Sequence, residues 1–63
     1  MVYERDGWIC QLCFESIDPA LKPPDLSSAS LDDIVPLAAN GTDTLANVQA
    51  AHLICNLRKG ATT

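Results

Sequence analysis

The apolar and polar positions of this chain fall into short patterned runs separated by turn-forming residues. Leu31-Asp32-Asp33-Ile34-Val35-Pro36-Leu37 is a short β-like run, and Pro36, which cannot donate to a ladder, puts it at a sheet edge or strand end. Asn47-Val48-Gln49-Ala50 is a second short strand, able to pair back across the turn-rich Asn40-Gly41-Thr42-Asp43-Thr44. The stretch from Leu53 to Lys59 predicts a helix. Leu53 and Leu57 share a face at i, i+4, Arg58 and Lys59 suit the C-terminal end, and Gly60 stands at a C-terminal cap position. So short a helix is not stable unaided and depends on what packs against it.

The N-terminal half is less regular. Asp6-Gly7 is a turn signal beside a strand-like Trp8-Ile9 step, followed by Cys10-Gln11-Leu12-Cys13. From Glu15 to Ser30 the chain carries Asp18-Pro19, Pro23-Pro24 and Ser27-Ser28-Ala29-Ser30, the composition of a connecting loop, with one helical turn expected around Asp18 to Leu21. There is no internal repeat and no low-complexity tract. The expected organisation is one small α+β domain over residues 1–63. It comprises an N-terminal knuckle half (1–14), a connecting loop (15–30) and a strand-loop-strand-helix core (31–60).

Composition sets what such a domain needs. Of 63 residues 48% are hydrophobic, which excludes a disordered chain, yet the aromatics are only Tyr3, Trp8 and Phe14. A core this small needs a staple. Three cysteines form at most one disulfide, so the remaining staple is a metal. No apolar run approaches the ~20 residues of a membrane span, and no secretory leader is recognisable after Met1; the expectation is an intracellular, cytoplasmic domain with no membrane partner. The net charge of −4 argues at first against nucleic acid, whose binders are usually basic.

The chemistry lies in two constellations. Cys10-x-x-Cys13 and His52-x-x-Cys55 gather every cysteine and the one histidine into two pairs, each spaced so that both side chains reach one ion from a single turn. Taken separately, Cys10 and Cys13 read as a redox pair, although no thioredoxin-like βαβ pattern surrounds them; Cys55 reads as a buried thiol and His52 as a core histidine. Taken together they make a Cys₃His set suited to Zn²⁺, with four protein ligands and so no open catalytic position. The 38 residues between Cys13 and His52 do not forbid closure, because loop entropy grows only logarithmically. The second constellation is Asp32, Asp33, Asn47 and Asn56. It reads either as a solvated acidic pair with turn and cap amides, or as a hard-oxygen site of the kind Mg²⁺ accepts. Asn56 follows Cys55 directly, so an ion at Cys55 also fixes where Asn56 lies.

Cys-x-x-Cys, Leu-Asp-Asp-Ile-Val-Pro-Leu, Asn-Gly-Thr, Asn-Val-Gln and His-x-x-Cys-Asn-x-x-Lys-Gly, in that order, resemble the HNH endonucleases over roughly Tyr3 to Gly60. The resemblance implies the ββα-metal fold in its zinc-stabilised form. It implies structural zinc on Cys10, Cys13, His52 and Cys55, a catalytic Mg²⁺ or Mn²⁺ on Asp32 and Asn56, and a loop-supporting role for Asn47, which orients the general base. It implies hydrolysis of phosphodiester bonds in double-stranded DNA with low intrinsic specificity, and contacts to nucleic acid from Arg58 and Lys59. Asp33 falls where the family has the general-base histidine. An aspartate carboxylate is a weaker base than imidazole by roughly 2.6 pKa units, so catalysis is expected to be impaired. Two other readings remain: a catalytically inactive zinc-binding module that contacts nucleic acid or protein, and a purely structural zinc knuckle.

Overall fold

Two five-residue strands form the centre of the molecule. The computed structural model describes residues 1–35, 39–42 and 44–60. In it β1 (Ala29–Asp33) and β2 (Val48–His52) pair antiparallel, with Ala29 opposite His52 and Asp33 opposite Val48. A single helical turn, α1 (Val2–Arg5), precedes them, and α2 (Leu53–Gly60) follows β2 without a linker. The order β, β, α on an N-terminal knuckle is the predicted architecture, a small α+β ββα fold.

The element boundaries differ from the sequence expectation for identifiable reasons. β1 covers 29–33 rather than 31–37 because the ladder ends once Asn47 takes over the backbone. The Ile34 N–H donates to the Asn47 carbonyl at 2.8 Å, and the Asn47 side chain binds both main-chain groups of Val35 at 2.9 Å. Pro36 and Leu37 lie outside the described residues. β2 starts one residue late, since Asn47 closes a 3-10 turn (Leu45–Asn47), and it extends through Ala51 and His52, which face Ser30 and Ala29. The helical turn expected at Asp18 to Leu21 is instead a turn closed by the Leu21 N–H on the Asp18 carbonyl, with the Ala20 N–H on the Asp18 carboxylate.

No helical periodicity announced α1, and tertiary bonds hold it. The Arg5 guanidinium donates to the carbonyls of Leu45 (2.9 Å) and Val48 (2.6 Å) and to Asp6. Asp6 in turn accepts the Ala50 N–H at 2.8 Å. Both contacts keep the Asp6 carboxyl below the usual carboxylate range, Arg5 foremost. α2 has the predicted span plus Gly60, which is its last helical residue and not a left-handed cap. Its first N–H groups find their acceptors in the preceding loop: Leu53 on Ser28 and Ile54 on Leu26.

The core is small. Cys10, Ile17, Ala50 and Ala51 are buried, with Tyr3, Trp8, Leu12, Ala29 and Cys55 packed against them. Val2 and Val48 are buried as well, but of these six side chains two are a single methyl and one is a thiol, so apolar burial alone supplies little. The apolar stripe expected on α2 does not form either: Leu57 is 54% exposed. The helix docks on the sheet through polar side chains, Asn56 and Lys59. No helix among the described residues is long and apolar enough to cross a membrane.

Candidate functional site

The first cluster forms where the knuckle meets the β2–α2 junction. Residues 8–17 fold as a tight hairpin: the Cys10 N–H donates to the Glu15 carbonyl, the Ile17 N–H to Trp8 and the Phe14 N–H to Cys10. Phe14 leaves the turn in the left-handed region, at φ 65°. The Gln11 N–H bonds the Ala50 carbonyl at 2.9 Å and ties this hairpin to β2. Cys10 and Cys13 thereby face His52, the last residue of β2, and Cys55 in the first turn of α2.

The four ligand atoms lie within 4.8 Å of one another. A tetrahedral zinc with Zn–S near 2.3 Å sets sulfur pairs about 3.8 Å apart, and nitrogen–sulfur pairs about 3.5 Å apart. The His52 Nδ1 lies 3.3 Å from the Cys13 Sγ and 4.0 Å from the Cys55 Sγ, so the donor set fits zinc. The other ring nitrogen, Nε2, is 3.0 Å from the Ser16 carbonyl. A carbonyl only accepts, so Nε2 carries the proton and Nδ1 presents its lone pair to the sulfurs, the tautomer a metal requires. The N–H groups of Cys13 and His52 both point at the Cys10 Sγ.

These contacts split the thiols. Burial pushes Cys10 up, but the N–H groups of Cys13, His52 and Leu12 and the neighbouring Cys13 thiol outweigh it and hold Cys10 down to about 6. Burial pushes Cys55 up, and the adjacent Cys13 and Cys10 sulfurs add to it, to about 11. Gathering several thiolates without a cation is unfavourable, and a divalent ion resolves the conflict.

The second cluster lies on the sheet face that α2 covers. Ser30 and Asp32 share that face of β1, two residues apart, while Asn56 and Lys59 share one face of α2, three residues apart. The Asn56 Nδ2 donates to the Ser30 Oγ (3.1 Å) and the Leu31 carbonyl (2.7 Å). The Lys59 Nζ lies 2.9 Å from the Asp32 Oδ2 and 2.7 Å from the Asp33 carbonyl. Asp32 is buried, and its Oδ2 also accepts Gln49 Nε2 across the strands at 2.7 Å. Asp33, half-buried, follows Asp32 directly as the last residue of β1. The buried Asn47 closes the neighbouring loop: its Oδ1 accepts the Val35 N–H, and its Nδ2 donates to Val35 and Thr42.

Asp32 and Asn56 thus lie at the same strand–helix contact, Asn56 on Ser30 and Leu31 and Asp32 on Lys59. Arg58 is exposed. Lys59, expected as a contact to nucleic acid, is instead ion-paired inward on Asp32. Three participants escaped sequence reasoning. Gln49 was discoverable from strand register, since it stands opposite Asp32. The Ser16 carbonyl and the Arg5–Asp6 staple carry no sequence signal.

The sequence matches the family model described as HNH endonuclease over residues 10–62, most of the chain. The chain belongs to the HNH endonuclease family. No curated protein and no solved structure matches it. For an HNH domain, both the ββα order and the Cys₃His cluster are in keeping with the family's metal-centred fold, and the family is one of nucleases.

Proposed function

We propose that this HNH domain is a zinc-stapled, metal-dependent endonuclease acting on double-stranded DNA with low sequence preference, slowed by the aspartate at position 33. The observation that carries the reading is the buried Asp32 carboxylate on the strand to which Asn56 bonds, through Ser30 and Leu31, in a chain of this family. Both residues offer the hard oxygen donors that suit Mg²⁺ or Mn²⁺. When bound there, such an ion supplies Lewis-acid polarisation of the phosphate and neutralises charge on the leaving oxygen. Cys10, Cys13, His52 and Cys55 hold structural zinc, which sets the start of α2 and with it Asn56.

The protein's own groups do the rest. Asp33 accepts the proton of the attacking water at a carboxylate oxygen, less effectively than an imidazole. Asn47 keeps the loop after β1 closed, so that Asp33 has a fixed position. Arg58 contributes a cation to the backbone phosphates. With a net charge of −4 over the whole chain, binding is weak and falls with salt.

The deciding experiment restores the histidine. Nicking of plasmid DNA by the zinc-loaded protein in Mg²⁺ or Mn²⁺ is weak, and Asp33→His raises it by about 10²–10⁴-fold, the usual worth of a general base. A folded, zinc-loaded Asp33→His protein that cuts nothing ends the nuclease reading. One observation favours a second reading, a non-hydrolytic zinc module: the ammonium of Lys59 already sits on Asp32. Under that reading Mn²⁺ finds no Asp32-dependent site.

A further inference from the structure

The cation on Asp32 is part of the protein. We infer that Lys59 is a resident counter-ion for Asp32 that a divalent metal must displace, and so is a positioning residue that sets how tightly the catalytic ion binds; the inference rests on the nuclease reading above. Three observations support it. Asp32 is buried, and a buried carboxylate requires a cation or several donors to remain charged. Its Oδ2 receives both the Lys59 ammonium at 2.9 Å and the Gln49 amide at 2.7 Å, so the carboxylate is already satisfied by a cation and a donor of the protein itself. The ammonium is further seated by the Asp33 carbonyl at 2.7 Å, so this is a formed site and not a chance approach of a long side chain.

The geometry of α2 makes the exchange local. Lys59 lies one turn after Asn56 on the same helix face, so ammonium and metal compete for one carboxylate from adjacent positions. Lys59 is the more solvent-exposed partner, its side chain 30% accessible against 4% for Asp32, so the lysine end can swing outward while the carboxylate stays. A single charge close to a buried carboxylate repels an entering dication, and its removal leaves Asp32 needing one. The pair therefore keeps the metal-free domain charge-balanced and weakens its hold on the ion.

The test titrates zinc-loaded protein with Mn²⁺, following the free ion by electron paramagnetic resonance. The unsubstituted chain is compared with Lys59→Met, Asp32→Asn and the double variant. Lys59→Met keeps the apolar stem, and it is expected to bind one Mn²⁺ about tenfold or more tighter than the unsubstituted chain, with the gain lost in the double variant. Equal or weaker binding by Lys59→Met, alongside Asp32-dependent binding by the unsubstituted chain, overturns the role of Lys59 and leaves the nuclease reading intact. No Asp32-dependent Mn²⁺ binding in any protein overturns both. Should Lys59→Met lose its circular-dichroism signal in zinc alone, recovery on adding Mn²⁺ upholds the inference, and failure to recover overturns it.

Discussion

Cys55 and Asn56 are adjacent in α2, yet they serve two clusters built on opposite rules. At the Cys55 cluster, four soft donors converge within 4.8 Å and their outer partners are already in place: main-chain N–H groups on the Cys10 sulfur, a carbonyl on the far nitrogen of His52. That cluster is poised for an ion and poorly balanced without one, since its thiols repel each other's ionisation. At the Asn56 cluster, the charge is balanced from within. Lys59 and Gln49 satisfy Asp32, and the Asn56 amide nitrogen is spent on Ser30 and Leu31. The contrast teaches that the two candidate metal sites of one small domain need not be equal: an ion at the Cys₃His cluster would complete the fold, while an ion at Asp32 would have to compete with it.

The sharpest way to break that comparison is to strip the first cluster. Structural zinc carries about 10–16 kcal/mol of apparent folding free energy, against a core whose buried members among the described residues are Val2, Cys10, Ile17, Val48 and two alanines. Chelation, or Cys10→Ser, is expected to abolish the fold, read as loss of far-ultraviolet circular dichroism and collapse of amide NMR dispersion. Asp32→Asn at the other cluster keeps the shape and removes the charge that needs Lys59, and is expected to leave the spectrum unchanged. A stripped protein that stays folded would erase the distinction.

The reach of the sequence follows the same divide. Motif spacing picked out the four residues that the fold brings within 4.8 Å of one another, because a metal selects residue type and interval directly. Asp32, Asn47 and Asn56 stood out too, and the structure gives each of them hydrogen-bond partners at β1, the loop after it or α2. The docking of α2 was illegible: Leu53 and Leu57 promised an apolar stripe, whereas Asn56 and Lys59 make the contact and Leu57 is half exposed. Hydrophobic periodicity has no way to register a helix held by polar groups. α1 was missed for a related reason, since a single turn has no period and Arg5 and Asp6 anchor it to β2 through main-chain groups.

A smaller effect sharpens the comparison at the loop. Asn47→Ala removes three hydrogen bonds to Val35 and Thr42 from a buried side chain and leaves their main-chain groups to find water. A loss of about 2–3 kcal/mol in denaturant unfolding is expected, with zinc stoichiometry unchanged. In the Asp33→His background the same substitution should also lower cleavage, because the loop no longer holds position 33. If Asn47→Ala releases zinc, the two clusters are one cooperative unit and the separation drawn above fails.

The smallest effect concerns protons at the zinc cluster. Zinc takes cysteine as thiolate, so each ligand that enters as a thiol must lose a proton. Cys55, pushed up to about 11 by burial and its neighbouring sulfurs, is a thiol across the neutral range and gives up one proton per ion bound. Cys10, held down to about 6, gives up its proton only on the acid side of that value. The contribution of Cys55 alone makes zinc affinity rise about tenfold per pH unit between pH 7 and 9, and Cys10 adds to the slope below about pH 6. Competition with a chelator of known proton linkage measures the slope. Cys55→His keeps a ligand at the position but removes the thiol, and should flatten the slope between pH 7 and 9 by about one decade per unit. An unchanged slope would mean that the proton comes from elsewhere in the cluster, and that the crowding of sulfurs around Cys55 does not set the cost of loading the ion.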